Sequence, residues 1–351
     1  MDRYKTVVLG ASGLVAQRLQ QRLFHHPLFE LTSVAGSSWC GMNLNNVPWR
    51  LEEQRPILPG LTIEDVHDET VPRRLYEQGI RIAFSALPSE HAVYIEPRWA
   101  KAGITVFSNA SSFRLSEGVP LVIPEINSSA INGIGQIGYP ILCATNCTLL
   151  PIIIPIAPMH NTFGLRNISV RSEQALSGGG YKLLDKYHNN DERVDKNIPG
   201  EAEKTESEFR RILEWDGKMD IVCNRVRRKD GHHVFITAEF EREISIDSLK
   251  ECIQQWNTKH GSNDHPSAPY YPIMIESKID VEAHLFANGT SYQHAPNPAS
   301  DLKTGMSIVI GSMECLDSKT IRFEGYSHNT IRGAAGGVVY LAELAHAMDK
   351  L

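Results

Sequence analysis

The sequence has few cysteines, and none of them lies in a pattern typical of a metal site or a redox pair. Six cysteines are spread over 351 residues, with no CxxC motif and no cysteine–histidine spacing of the zinc type. Cys143 and Cys147 are separated by three residues, which matches neither kind of motif. We therefore expect no metal centre, and free thiols in a reducing compartment.

Long apolar segments, a targeting sequence and an excess of positive charge are also lacking. The longest apolar stretch, LLPIIIPIAPM at 149–159, is too short to cross a bilayer and contains three prolines. The first residues, MDRYKTVVLG, have neither signal-peptide nor transit-peptide character. The formal net charge of −6 argues against a nucleic-acid partner. Together these features predict a cytoplasmic protein that binds neither membrane nor nucleic acid.

The chain is long enough for about two domains, and its first half has the pattern of a nucleotide-binding fold. The segment YKTVVLGASGLVAQRLQQRLF, starting at Tyr4, predicts a strand, a glycine turn and a helix. Gly10, Gly13 and Ala16 stand where small residues let a helix N-terminus approach a pyrophosphate. Glycine turns without a nucleotide are common, so the motif alone leaves binding open.

Strands and helices alternate along the first half, which predicts a parallel, doubly wound sheet of the Rossmann type. The second half predicts an α+β domain with a mostly antiparallel sheet. The predicted strands after the first are 31–38, 81–88, 104–111, 140–147, 165–176, 220–228, 233–243, 306–316 and 320–327. The further predicted helices are 89–103, 245–260 and 328–351.

The segment after the second strand leaves the choice between NADP and NAD open. An NAD enzyme usually has an acid there and an NADP enzyme usually has an arginine. Between Leu31 and Trp49 the chain has neither an acid nor an arginine, and its polar residues there are small and uncharged. Ser37 and Ser38 could bind either ribose hydroxyls or a 2′-phosphate.

Cys147 stands out because it follows a predicted strand and opens an apolar run in TNCTLLPI. A helix that starts there would favour the thiolate and lower the pKa of the thiol. The alternative is a buried, inert cysteine, which is the common state of a free thiol. The three prolines of the run predict an irregular helix.

Several polar residues have chemistry that fits catalysis, although each also has a simpler structural interpretation. His232 follows the turn signal Asp230–Gly231 and has the chemistry of a proton shuttle, or is a surface residue. Arg225 offers a fork for a carboxylate, or belongs to a solvated basic face. Glu201 and Lys204 would share one face of a helix, or form a surface ion pair.

Nine motifs, in order and with their spacing, resemble the aspartate-semialdehyde dehydrogenase family. They run from residue 10 to beyond residue 330. Their pattern resembles that of the archaeal and fungal branch, which includes malonyl-CoA reductases. The motifs are GASGLVAQ, SALPSEHA, SNASSFR, PEIN, TNCT, SEQALSGGG, GEAEK, CNRVRRKDGHH and NTIRGAAGG.

The resemblance implies a role for each matched residue. The implied catalytic residues are Cys147 as nucleophile, His232 as proton shuttle and Gln174 as acyl-positioning residue. Arg225 would bind the substrate carboxylate, Glu201 its ammonium, Lys204 and Arg114 its phosphate, with Asn146 alongside. His233, next to His232, would point the other way. The implied cofactor-binding residues are Gly10, Ser12, Gly13, Leu14, Val15, Ser37, Ser38, Ser85, Leu87, Ser177, Gly178, Gly179 and Asn329.

The implied reaction is the NADPH-dependent reduction of L-aspartyl 4-phosphate to L-aspartate 4-semialdehyde and phosphate through a thioester on Cys147. The alternatives are a reductase of another acyl donor, such as an acyl-CoA, and a cofactor-binding homologue without activity. The implied domains are 1–146 for the dinucleotide and 147–328 for catalysis and dimerisation. Residues 329–351 would form a helix that returns to the first domain. The resemblance also implies a homodimer or homotetramer.

The sequence departs from the family at two places. The family usually has a serine–x–arginine–serine run and then a lysine in the cofactor loop, where this chain has Gly36, Ser38, Trp39 and Met42. NADP remains the expected cofactor, with NAD as the alternative. A basic cluster, Arg227–Lys229, stands where the family usually has an apolar residue or proline, and it would be surface decoration or would widen the site for a larger anion.

Overall fold

The computed structural model describes residues 3–188, 195–261 and 265–351, and within these ranges the chain forms two six-stranded sheets. The first sheet has the order β3–β2–β1–β4–β5–β6, and all its pairings are parallel. Its strands are β1 Tyr4–Leu9, β2 Phe29–Gly36, β3 Ile63–Asp65, β4 Ile82–Ser85, β5 Thr105–Ser108 and β6 Ile141–Cys143. The accompanying helices are α1 Leu14–Leu23, α2 Val71–Glu77, α3 Ser89–Lys101 and α4 Pro124–Asn127.

The apolar strands of the first sheet explain its parallel arrangement. Val7, Val8 and Leu9 of β1 are fully buried, as a strand covered by helices on both faces must be. In a doubly wound sheet the carboxyl ends of the strands form the ligand-binding edge. The predicted Rossmann-type sheet is therefore confirmed. The short strand β3 escaped the sequence pattern because three residues carry too little periodicity.

The second sheet is mixed and has the order β10–β11–β12–β9–β7–β8. Its three central pairings are antiparallel, whereas the edge strands β10 and β8 pair in parallel with their neighbours. The strands are β7 Leu165–Gln174, β8 Lys218–Arg225, β9 His232–Phe240, β10 Ile273–Ile275, β11 Ile308–Cys315 and β12 Thr320–Ser327. The helices of this half are α5 Leu150–Phe163, α6 Gly180–His188, α7 Glu201–Leu213 and α8 Ile246–His260.

Helix α5 connects the two sheets, and it is continuous through all three of its prolines. The expectation of an irregular helix was wrong. Pro151 occupies the first turn, where its missing N–H costs nothing. Pro155 leaves the Pro151 carbonyl without its helical donor, but Gly325 of β12 lies against that oxygen and has no side chain to exclude it. Burial of the helix against β9, β11 and β12 stabilises it despite the lost hydrogen bonds.

The C-terminal segment was predicted as one helix but contains two kinds of helix. A π-helical turn, Ile331–Ala335, precedes α9, Gly336–Ala347. Val338 and Leu341 of α9 belong to the same apolar cluster as Leu19 of α1, so this helix packs against the first sheet's layer. Arg332 of the π-turn donates to both carboxylate oxygens of Glu125 at 2.8 Å, deep in the interior. The domain boundaries given above stay predictions.

In the part of the chain that the structure describes, no helix combines the length and apolarity needed to cross a bilayer.

Candidate active site

A pocket of about 250 Å³ opens where the carboxyl edge of the first sheet meets the second half of the chain. Larger depressions exist, and the two beside Arg211 of α7 and Gln254 of α8 are lined by neither cysteine nor histidine. Many of the residues predicted from the sequence line the 250 Å³ pocket. These are Val15, Arg114, Asn146, Cys147, Ser177, Gly178, Glu201, Lys204 and Asn329. Among the described residues, no group of three or more His, Cys, Asp or Glu side chains could hold a metal ion.

Cys147 lies in the turn between β6 and α5, at the wall of the pocket. Asn146 shapes this turn because its side-chain oxygen accepts a hydrogen bond from the Thr148 N–H at 2.7 Å. The Asn146 carbonyl also accepts from the Leu149 N–H at 3.1 Å. Asn146 therefore acts as a cap for the turn that leads into α5 and fixes the position of the sulfur.

The electrostatic environment of Cys147 differs from the expectation. Removal from water and the nearby Glu201 carboxylate raise the pKa of the Cys147 thiol to about 12, although Arg114 and Arg225 act in the opposite direction. The backbone N–H of the turn acts in the expected direction and lowers the pKa, but the net shift is upward. A helix terminus contributes only partial charges, and here burial and a full negative charge outweigh them.

His232 lies at the start of β9 and is fully buried behind Cys147. Its Nε2 is 3.3 Å from the Cys147 Sγ. The Ala175 N–H donates to Nδ1 at 3.1 Å. A nitrogen that accepts a hydrogen bond carries no hydrogen, so the neutral ring has its hydrogen on Nε2, facing the sulfur. His233 points to the other face of the strand and contacts Glu324 at 2.9 Å.

The surroundings also keep His232 neutral. Burial first, and then the positive charges of Arg225 and Arg228, hold the pKa of the imidazole well below its ordinary value. In this geometry His232 is a hydrogen-bond donor to the sulfur. Taking the thiol proton would require a second ring proton on Nδ1, and the Ala175 N–H opposes that.

Two side chains hold the turn that carries His232. Asn329 accepts from the Gly231 N–H at 2.8 Å and donates to the Ser177 hydroxyl at 2.8 Å. Arg228 donates to the carbonyl of Gly231 at 3.0 Å and to that of Glu173 at 2.9 Å. Lys229 forms an ion pair with Glu52. Of the basic cluster, Arg228 therefore helps to build this turn, whereas Lys229 is held by Glu52.

Two glycines lie close to the reacting groups, and a side chain would be excluded at Gly333 and tightly packed at Gly178. A Cβ at Gly333 would lie 2.5 Å from the Cys147 Cβ. A Cβ at Gly178 would lie 3.2 Å from both the Arg225 Nη1 and the His232 Cε1. Gly333 lies in the π-helical turn and was not predicted as a site residue, although it belongs to the NTIRGAAGG motif. Such π-turns are frequent at functional sites.

Arg225 and Gln174 end neighbouring strands of the second sheet, β8 and β7. The Arg225 guanidinium donates to the Ala175 carbonyl at 3.0 Å, which holds its Nη1 beside the pocket loop that contains Gly178. Gln174 is buried, and its amide contacts Glu201 at 3.5 Å. The parallel pairing of the two strands thus brings both residues towards the same side of the site.

The two predicted phosphate-binding cations differ in their surroundings. Lys204 is exposed on α7, whereas Arg114 is buried and donates to the Glu208 carboxylate at 2.9 Å. The other Glu208 oxygen accepts from the Asn146 N–H at 2.7 Å. Glu208 therefore joins Arg114 to the nucleophile turn. It was not predicted, but it lies seven residues after Glu201, so helical spacing alone would have placed it on the same face.

The predicted cofactor residues lie along the carboxyl edge of the first sheet. Gly13 directly precedes α1 as its N-cap residue. No side chain caps the helix, so its first N–H groups are not used by side chains. Leu14 packs against Leu176 and Leu184, which brings the start of α1 next to the Ser177–Gly179 loop. The remaining predicted residues of this edge are Gly10, Ser12, Val15, Ser85 and Leu87.

Residues 37–49, which follow β2, have no charged side chain and an acidic neighbour. Ser37, Ser38 and Trp39 are all exposed, and Trp39 has a φ of +67°. Gly36 lies opposite Asp65 in the pairing of β2 with β3. A 2′-phosphate at this edge would therefore meet hydroxyl groups and a carboxylate instead of a guanidinium.

Comparison with known sequences identifies relatives along the whole chain. Residues 5–134 match the profile of the semialdehyde dehydrogenase, NAD binding domain family. An aspartate-semialdehyde dehydrogenase of Archaeoglobus fulgidus is 34% identical, with 97% of this chain and 98% of that protein covered. A malonyl CoA reductase (NADP) of Metallosphaera sedula is 28% identical, with 97% and 96% covered.

Comparison with solved structures also finds aspartate semialdehyde dehydrogenases. The crystal structure of aspartate semialdehyde dehydrogenase with NADP from Candida albicans superposes with a TM-score of 0.77 at 26% identity, over 100% of both chains. That of aspartate semialdehyde dehydrogenase II with ASA from Vibrio cholerae has a TM-score of 0.74 at 18% identity, over 99% of both chains.

The buried pair of Glu208 and Arg114 predicts a large loss of stability on substitution. Glu208→Gln leaves an uncompensated buried guanidinium, so we expect the free energy of unfolding to fall by about 3 kcal/mol or more in urea denaturation. Glu206→Gln on the same helix breaks a half-exposed pair with Arg210 and should cost at most about 1 kcal/mol. An equal loss of unfolding free energy in both variants would contradict the assignment of Glu208 and Arg114 as a buried ion pair.

The positive charge of Arg228 predicts a shift in the ionisation of His232. In Arg228→Gln the pKa of His232 should rise towards its ordinary value, because imidazolium no longer meets that charge. NMR titration of ¹⁵N-labelled histidine, assigned with His232→Gln, measures the shift and identifies the tautomer. The exposed neighbour Arg227→Gln serves as the control. A spectrum with Nδ1 protonated in the wild type would refute the donor geometry.

Proposed function

The chain belongs to the aspartate-semialdehyde dehydrogenase family, and from this we propose that it reduces L-aspartyl 4-phosphate to L-aspartate 4-semialdehyde and phosphate with NADPH. The observation that carries the proposal is the 3.3 Å approach of the Cys147 Sγ to the His232 Nε2 at a pocket lined by Arg114 and Lys204. A nucleophile, a hydrogen-bond donor and cations for a leaving phosphate are what acyl-phosphate reduction requires.

The residues at the carboxyl edge of the first sheet fit NADP. The uncapped start of α1 after Gly13 offers N–H groups to a pyrophosphate, and Gly178 leaves space beside His232 for a ring to approach. The cofactor would be held by the residues predicted for it, which at this edge are Gly10, Ser12, Gly13, Leu14, Val15, Ser85, Leu87, Ser177, Gly178, Gly179 and Asn329. When bound, NADPH supplies the hydride that reduces the acyl group.

The substrate would be held by charge at three points. Arg114 and Lys204 would bind the phosphate, Arg225 the α-carboxylate and Glu201 the ammonium. The pocket thereby supplies local positive charge in a protein whose net charge is −6. This arrangement would place the 4-acyl carbon at Cys147.

Covalent chemistry would take place at the sulfur of Cys147. The thiolate attacks the acyl carbon, the carbon–oxygen bond to phosphate breaks, and a thioester forms as phosphate leaves with the electron pair. Phosphate release is favoured by Lys204 and Arg114. After reduction the carbon–sulfur bond breaks, the aldehyde departs, and the sulfur keeps its electrons. The Nε2–H of His232 would donate to the sulfur when it carries charge, and Gln174 would help to orient the acyl group.

A reductase of an acyl-CoA is the second candidate, since one relative carries that name. The Arg227–Lys229 cluster gives this candidate little support. Arg228 is bonded to two backbone carbonyls and Lys229 is paired with Glu52, so neither extends the pocket for a larger anion. Activity with an acyl-CoA but not with aspartate semialdehyde and phosphate would favour it.

We also propose a cytoplasmic homodimer or homotetramer that associates through the open face of the second sheet. That face exposes long side chains such as Arg171, whose guanidinium lies 4.4 Å from the Phe235 ring centre. Light scattering during gel filtration would measure the oligomeric state, and a monomer at micromolar concentration would contradict this proposal.

The proposed reaction predicts that NADP⁺ is reduced by aspartate semialdehyde only when phosphate or arsenate is present. In Cys147→Ala the rate should fall by at least about a thousandfold, because no thioester can form. The absorbance of NADPH follows the reaction. Cys143→Ala, at a buried cysteine in β6, should remain active. Equal rates for Cys147→Ala and the wild type would eliminate the catalytic proposal.

The uncharged segment 37–49 after β2 predicts an incomplete binding site for the 2′-phosphate. Ser38→Arg should lower the KM for NADPH about tenfold, since a guanidinium–phosphate hydrogen bond is worth about 1.5–3 kcal/mol. The KM for NADH should stay unchanged. Asn46→Arg adds the same charge farther along the same loop and should have little effect on either KM. Equal effects of Ser38→Arg and Asn46→Arg on the KM for NADPH would show only a general electrostatic attraction by the added positive charge, and would contradict this prediction.

A further inference from the structure

Glu201 is the one carboxylate among the described residues that line the pocket, and it holds both neighbours of the nucleophile. Its Oε1 accepts from the Asn146 side-chain amide at 2.9 Å and from the Thr148 hydroxyl at 3.3 Å. The negative charge is thus fixed beside Cys147 by contacts to the residues directly before and after it.

Charges on other elements also act on the sulfur. Arg225 at the end of β8 and Arg114 after β5 favour the thiolate, whereas the Glu201 charge at the start of α7 opposes it. Arg114 is already compensated by Glu208 at 2.9 Å. His232 contributes no charge, because it is held as neutral imidazole. Burial has the largest effect on the thiol, and Glu201 is the strongest charge that opposes the thiolate.

We propose that Glu201 keeps Cys147 in its protonated resting form and that a ligand ammonium releases the thiolate by neutralising the carboxylate. This rests on the proposed function, because an aminoacyl phosphate supplies the ammonium. The S–H bond breaks and its proton leaves to solvent, since the Nε2 of His232 already carries one. No other bond changes in this step. The nucleophile then becomes more reactive when an amino-acid substrate is present.

Thermodynamic linkage makes this effect reciprocal. If an ammonium at Glu201 favours the thiolate by some factor, the thiolate form binds that ammonium more tightly by the same factor. Affinity for an ammonium-bearing ligand should therefore rise with pH more steeply than affinity for a ligand without one. A merely structural role of Glu201 would produce no such dependence.

The first test compares Glu201→Gln with Glu203→Gln, an exposed glutamate on the same helix. The rate at which iodoacetamide alkylates Cys147 is measured by mass spectrometry at several pH values above neutrality. Glu201→Gln should react about threefold faster for each unit by which the pKa of the thiol falls, because the thiolate fraction rises tenfold while the thiolate becomes less nucleophilic. Glu203→Gln should match the wild type. Equal rates in a folded Glu201→Gln would overturn the proposal.

The second test uses the wild-type protein, so it holds even if Glu201→Gln fails to fold. Thiolate absorbance, with the signal of Cys147→Ala subtracted, is titrated with saturating L-aspartate or succinate. Both ligands carry two carboxylates, but only aspartate carries an ammonium. Aspartate should shift the titration to lower pH than succinate does, and identical curves would refute the proposal. Neither test needs turnover, so failure of the catalytic assay remains distinguishable from failure here.

Discussion

The contact between the Cys147 sulfur and the His232 imidazole is the interaction on which the rest of the site depends. It joins the end of a parallel strand in one sheet to the start of an antiparallel strand in the other, at 3.3 Å. Helix α5 leaves the nucleophile turn and packs across the back of the second sheet, which couples the two positions mechanically. Any shift of one sheet against the other would alter this distance. The continuous helix through three prolines is therefore part of the site.

The Cys147 thiol and the His232 imidazole both favour their uncharged forms, although charged side chains surround them. Burial raises the pKa of the thiol and lowers that of the imidazole, so each rests in its uncharged form. The charges nearby are held in fixed places, with Arg114 on Glu208 and Arg228 on backbone carbonyls. Such fixed charges and dipoles stabilise developing charge without reorganising during the reaction.

The sequence allowed prediction of the sheet types, most strand positions and many of the residues that line the pocket. Those features follow from local patterns such as β-branched runs, glycine turns and ordered motifs. It did not allow prediction of Glu208, of the neutral state of His232 or of the raised pKa of Cys147. Each of these depends on which distant residues approach one another, for example the Ala175 N–H at Nδ1. The basic cluster at Arg227–Lys229 was ambiguous for the same reason, since its backbone and Glu52 partners lie far away along the chain.

A nucleophile that rests as a thiol combines protection with selectivity. The thiolate is the species that oxidants and alkylating agents attack, so a protonated sulfur is spared while no substrate is bound. The same carboxylate would also discriminate among acyl donors. A donor with a cationic group beside Glu201 removes the opposing charge, whereas a donor without one leaves the thiol protonated and pays for its ionisation from its own binding energy. Discrimination of this kind acts on the chemical step, so an acyl phosphate of similar size that lacks the ammonium could bind and still react slowly.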